Sequence, residues 1–85
     1  MIVPRGGKSE WIDVTSTAWA FSFTSTAKRP VGIYCNTDAT IVGALMHDTS
    51  EHSWVLTGGM THPLAFKSIN TTSTLKSGFA ILYEL

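Results

Sequence analysis

The chain has 85 residues, six basic and six acidic, one cysteine and a charged fraction of only 14%. That length makes one small domain burying roughly 60–65% of its unfolded surface, and Cys35 alone forms no internal disulfide. Balanced charge excludes the basic footprint of a nucleic-acid or membrane-surface protein, and the shortfall against the ~25% charge of ordinary soluble domains is filled by Ser and Thr, as suits a surface covered by other protein.

Residues 1–9, with Pro4, Gly6-Gly7 and the cations Arg5 and Lys8, read as an N-terminal arm, and residues 10–85 as a single β domain. The start lacks the apolar h-region of a secretory signal, and no run approaches the ~18 apolar residues of a membrane-spanning helix. With a free cysteine, synthesis in a reducing cytoplasm is expected.

Glu10-Trp11-Ile12-Asp13-Val14 alternates with period two and predicts a strand. Thr15-Ser16-Thr17 breaks it, and Trp19 to Thr24 alternates again, with Trp19, Phe21 and Phe23 on one face as expected core. Lys28-Arg29-Pro30 is loop, Val31 to Cys35 a strand, and Asn36-Thr37-Asp38 a turn made by short polar side chains. Ala39 to His47 is apolar on both faces. Gly43 and the β-branched run Thr40-Ile41-Val42 favour strand over helix there.

Asp48 to His52 reads as a polar turn and Ser53 to Thr57 as a strand. Gly58-Gly59 then opens a run holding Leu64, Phe66 and Ile69. After the turn Asn70 to Thr74, Phe79 to Tyr83 forms the last strand. This final stretch is expected to be two antiparallel strands closing the fold. About seven short strands at regular spacing predict an all-β class, a small β-sandwich or jelly-roll-like module.

Several strands are apolar on both sides, whereas a two-sheet fold should present polar outer faces. Val42, Ala44, Met46, Val55, Ala80 and Leu82 break that rule and are the expected oligomer interface. A chain this short gains stability from association when it has no disulfide or metal to help.

Chemistry is sparse. His47-Asp48-x-x-Glu51-His52 lacks the His-Glu-x-x-His spacing of a helical zinc site, and no metal or cofactor is expected. No Gly-x-Ser-x-Gly elbow is present, and Cys35 lies mid-strand beside Ile33, so the chain is read as non-enzymatic. Trp11 and Trp54 offer an alternative, a carbohydrate-binding module using exposed tryptophan rings.

Gly59-x-x-x-Pro63-Leu64-x-Phe66-x-x-Ile69, a Thr-rich turn, and Phe79-Ala80-Ile81-Leu82-Tyr83 resemble the C-terminal half of small tailed-phage virion proteins. The likeness is to head-spike base proteins of phages and gene transfer agents and to related capsid decoration proteins. Arg29-Pro30-Val31-Gly32-Ile33-Tyr34 resembles an upstream strand of that family, while Lys67 is the one charge on a strand that is often basic there. The resemblance implies a virion structural protein on the capsid surface, decorating or cementing the capsid or forming the base of a vertex spike. Its implied partners are itself, as a trimer or pentamer, the major capsid protein, and a spike or fibre protein. Ile2, Val3, Pro4 and Arg5 would then be the arm that touches the capsid.

Overall fold

A computed structural model describes residues 6–24 and 28–84. Eight strands follow in order: β1 (Gly6–Ile12), β2 (Trp19–Ala20), β3 (Pro30–Cys35), β4 (Ala39–Leu45), β5 (His52–Leu56), β6 (Met60–His62), β7 (Phe66–Ile69) and β8 (Phe79–Glu84). They form two four-stranded antiparallel sheets, β1-β8-β3-β6 and β2-β7-β4-β5. The fold is all-β, a small sandwich, as the alternation predicts. No helix among the described residues is long and apolar enough to cross a membrane.

Alternation sets which side chains meet between the sheets. Ile33 lies opposite Ile81 and Cys35 opposite Phe79 on one sheet; Ala39 faces Leu56 and Gly43 faces Ile69 on the other. Directly opposed residues share a face, so these rows point inward, where Ile33, Cys35, Ile41, Phe66, Ile69, Phe79 and Ile81 lose all contact with solvent. Burying a side chain of this size contributes about 1.5–3 kcal/mol, and this one cluster holds most of the large apolar residues.

Bulges adjust the ladders. One extra residue, Val31, separates Pro30 from Gly32 opposite Tyr83 and Leu82. Pro30 takes the first position of β3, where a missing N–H costs the ladder least. In the second sheet Lys67 is the extra residue between Phe66 and Ser68; its ammonium reaches the Asp48 carbonyl at 2.5 Å and its own carbonyl accepts from Phe21 N–H at 2.8 Å. Gly43 sits where β4 and β7 crowd together: a Cβ there would stand 2.3 Å from the Ser68 carbonyl oxygen.

Beyond Ile69 the strand β7 ends, yet β4 keeps its partners. Asn70 N–H donates to Val42 O at 2.7 Å and Thr74 N–H to Thr40 O at 2.9 Å. In the other direction the N–H groups of Val42 and Thr40 donate to the hydroxyls of Ser73 and Thr74, both at 2.9 Å. Two side-chain oxygens thus stand in for the carbonyls of a missing strand. Ser73 is fully buried and passes its own proton to Asn70 O at 2.9 Å.

Four expectations need correction. The closing stretch is not a paired hairpin: β7 and β8 belong to opposite sheets, and β8 lies centrally between β1 and β3. The strand expected from Trp19 to Thr24 is reduced to Trp19–Ala20, because past Ala20 only Phe21 N–H still reaches β7, and Phe23 is 60% exposed. The arm expected over residues 1–9 is already strand from Gly6, held by pairing with β8. Ile2, Val3, Pro4 and Arg5 lie outside the described residues. Finally, Ala44 and Ala80 retain only 3% and 2% exposure, covered by their own chain, and have almost no surface left for a neighbour.

Candidate functional site

The two edge strands β1 and β2 flank a groove of about 330 Å³, lined by Lys8, Glu10, Trp19, Ala20, Phe21, Ser22, Lys28 and Tyr83. Register explains its mixed character. Lys8 lies opposite Tyr83 and Glu10 opposite Ile81, so both charged residues share the inward face of the first sheet, just where the core ends. Inward-pointing charges on an edge strand also discourage another strand from adding to it.

The aromatic rings form one wall. Phe21 lies 6.3 Å from Tyr83, tilted by 40°, and Phe23 meets Phe21 edge-on at 4.9 Å, carrying the wall outward. The Tyr83 hydroxyl donates to the Glu10 carboxylate in a short hydrogen bond, and the Lys8 ammonium lies 5.7 Å from the Tyr83 ring centre, within cation–π range. Burial first, then the hydrogen bond and charge of Glu10, raise the Tyr83 phenol above its ordinary value, so it stays protonated and donating at neutral pH.

The outer faces differ from the groove. On the first sheet Trp11, Ala80, Tyr34 and Thr61 form one row and Ser9, Leu82 and Gly32 another. Trp11 is 60% exposed and stands edge-on to Tyr34 at 6.3 Å. On the second sheet the outward residues are Thr40, Val42, Ala44, Ser53, Val55, Ser68 and Ala20. These positions are uncharged, the charge on the outer side of the first sheet being Glu84, which follows Ala80 and Leu82 along β8 opposite Gly6; Val55 is 85% exposed.

The residues expected at an oligomer interface therefore divide. Val42, Ala44 and Val55 belong to one outer face and Ala80 and Leu82 to the opposite one, with Met46 half-buried in the turn after β4. The two tryptophans of the carbohydrate alternative also part company. Trp11 is open, while Trp54 packs edge-on against Phe66 at 6.1 Å and donates its indole N–H to Gly43 O at 3.2 Å. Alternation alone did not distinguish them, since each lies in a strand of mixed pattern.

The polar cluster around His47 serves the turns. Asp48 accepts from Leu45 N–H at 3.0 Å, and Glu51 accepts from the Asn70 amide at 2.9 Å. Among the described residues no three His, Cys, Asp or Glu side chains gather as metal ligands would. Cys35 is fully buried, and desolvation pushes its thiol from 9.0 up to about 11, away from the thiolate a nucleophile requires.

Comparison of the chain with protein-family models, curated proteins and solved structures finds no match. The groove was not foreseen from the sequence because its lining comes from four separated segments. The one local sign was the exposed-looking aromatic repeat at Trp19, Phe21 and Phe23, read as core.

Proposed function

We propose that the protein is a structural component of a tailed-phage virion, a symmetric homo-oligomer bound to the major capsid protein that decorates or cements the capsid or forms the base of a vertex spike. The observation that carries this reading is the scarcity of charge at the outward positions of the two sheets, where Glu84 at the end of β8 stands among uncharged neighbours. An antiparallel sheet facing water is ordinarily polar on that side; here Val55 and Trp11 stand exposed among Thr, Ser, Ala and Gly. The likeness of Gly59 to Ile69 and Phe79 to Tyr83 to head-spike base and decoration proteins points the same way.

Two sparsely charged faces on opposite sides of one sandwich suit a head-to-tail ring, in which each copy offers one face to the next and the other to the one before. Val42, Val55 and Met46 serve one side of that contact and Leu82 with Trp11 the other. The function is passive: a ring made in the host cytoplasm settles on the capsid surface and bridges its subunits, modest affinity per copy being multiplied by several attachments.

Sedimentation of the purified chain, alone and with expanded capsids, tests the reading. A trimer or pentamer that pellets with the capsids is expected, and Val55→Glu is expected to yield monomers that still fold. A wild-type chain that stays monomeric and remains in the supernatant overturns the proposal.

A further inference from the structure

The groove between β1 and β2 is separate from the two sparsely charged outer faces, and its chemistry narrows its ligand. Edge protection accounts for Lys8 and Glu10 pointing inward, but not for the aromatic wall of Phe21 and Tyr83 or its extension by the 60% exposed Phe23. An anion would meet the Glu10 carboxylate, a cation would meet the Lys8 ammonium, and a wholly apolar molecule would strip water from both without returning a hydrogen bond. A neutral ligand with one apolar face and a rim of hydroxyls satisfies every group at once. It would lay its C–H face on the rings, give protons to Glu10 and take them from the Lys8 ammonium and Ser22 hydroxyl.

We infer that this groove binds a saccharide, one or two sugar rings stacked against Phe21 with their hydroxyls shared between Glu10 and Lys8. The volume of about 330 Å³ lies at the small end of the ~300–1,000 Å³ typical of ligand clefts, which suits a mono- or disaccharide unit and not a long chain enclosed along its length. Tyr83 holds the carboxylate in place: its hydroxyl occupies one lobe of Glu10, leaving the remaining lone pairs for the ligand. The site is distinct from the tryptophan pair of the sequence-based alternative, since neither Trp11 nor Trp54 lines the groove. It is also independent of the capsid reading, because no outward position of either sheet save Ala20 contributes to it.

The test is a titration of the intact chain with the neutral sugars glucose, galactose and N-acetylglucosamine, and with anionic glucuronate as the contrast expected to bind more weakly, followed by the indole N–H resonance of Trp19 and the ring resonances of Phe21 and Tyr83. Saturable shifts with at least one of the three neutral sugars are expected. Glu10→Gln, which keeps the side chain's size, is expected to weaken binding about tenfold or more, as losing a charged hydrogen-bonding partner does. Phe21→Leu keeps apolar bulk for folding and is expected to remove the shifts, while Trp11→Ala is expected to bind as the wild type does. The inference is overturned if the three neutral sugars leave these resonances unmoved, if Trp11→Ala and not Glu10→Gln abolishes the response, or if glucuronate, benzoate or an acidic tripeptide produces the shifts where neutral sugars do not. Capsid retention of Glu10→Gln, measured in parallel, separates the two proposals: it is expected to be unchanged.

Discussion

The two sheets of this sandwich are built by different means. In the first, β8 runs between two neighbours over nearly its whole length, paired to β1 from Phe79 to Glu84 and to β3 from Phe79 to Tyr83. In the second, β2 is two residues long, β7 meets β4 over a short bulged stretch, and the rest of that edge of β4 is completed by the hydroxyls of Ser73 and Thr74. The first sheet depends on apolar burial and on long ladders along both edges of β8, so its weak points are its large side chains. The second depends on particular small residues in particular places. A sandwich can thus have one half that tolerates sequence change by class and another that does not.

The largest effect is expected in the ladder-built sheet. Phe79→Ala removes a fully buried ring opposite Cys35 and Ile12 and should cost about 3–5 kcal/mol, against a total of roughly 4–13 kcal/mol for a domain of this length. Urea unfolding should show the midpoint collapse; a loss below about 1 kcal/mol would mean the ring is not buried as described.

In the patched sheet, Gly43→Ala is expected to cost about 3 kcal/mol although it adds only a methyl group, because the obstructing atom is the Ser68 backbone oxygen and not a movable side chain. Should this variant melt like the wild type, the close approach of β4 and β7 is wrong and the contrast between the sheets fails.

Ser73→Ala comes next, at about 2 kcal/mol, since it leaves the Val42 N–H without its acceptor in a buried setting. Thr74→Ala removes the corresponding acceptor of Thr40 where water has access, and should cost less. Hydrogen exchange at the Val42 and Thr40 amides would sharpen this: each substitution should speed exchange chiefly at its own partner.

The smallest effect is one of pH. Burial raises the Cys35 thiol from 9.0 to about 11 and, with Glu10, raises the Tyr83 phenol above 10.0. Both groups hold their protons more tightly when folded, so their contribution to stability is complete below pH 9.0 and declines as pH rises. The Cys35 share should disappear between 9.0 and about 11, and the Tyr83 share from 10.0 upward. Thermal melting across the alkaline range checks this: Cys35→Ala should flatten the earlier decline and leave the later one, and Tyr83→Phe should do the reverse.

Much of the first sheet was legible in the sequence, because Val31 to Cys35 and Phe79 to Tyr83 are short apolar runs bounded by turn residues, as buried strands are. The turns were legible too, from Asn36-Thr37-Asp38, Asp48 and Gly58-Gly59. What those turns connect was not. Among the described strands only β4 and β5 are consecutive neighbours in one sheet; the other turns carry the chain across the core to the opposite sheet, which is why the expected closing hairpin came apart. Gly58-Gly59 illustrates the point: Gly59, at a φ of 74°, donates to Cys35 O at 2.7 Å as the chain leaves β5 for the other layer.

Exposure was the second thing alternation left open. It marks two faces on a strand without saying which neighbours cover them, so Ala80 and Val55 looked alike in sequence and ended at 2% and 85% exposed. The groove belongs to the same class of facts, its lining drawn from β1, β2, the Lys28 loop and β8.

The sequence by itself determined that this protein is a small all-β module, sandwich or jelly-roll-like, with few charges, since period-two alternation, β-branched residues and turn chemistry act locally and need no knowledge of partners. Only the tertiary structure decided which sheet each strand joins, that Ser73 and Thr74 complete one of them, and that Lys8, Glu10, Phe21 and Tyr83 meet at its open edge. Those outcomes rest on contacts between residues far apart in the chain, and a strand's pattern specifies the side it buries but not the strand it buries it against.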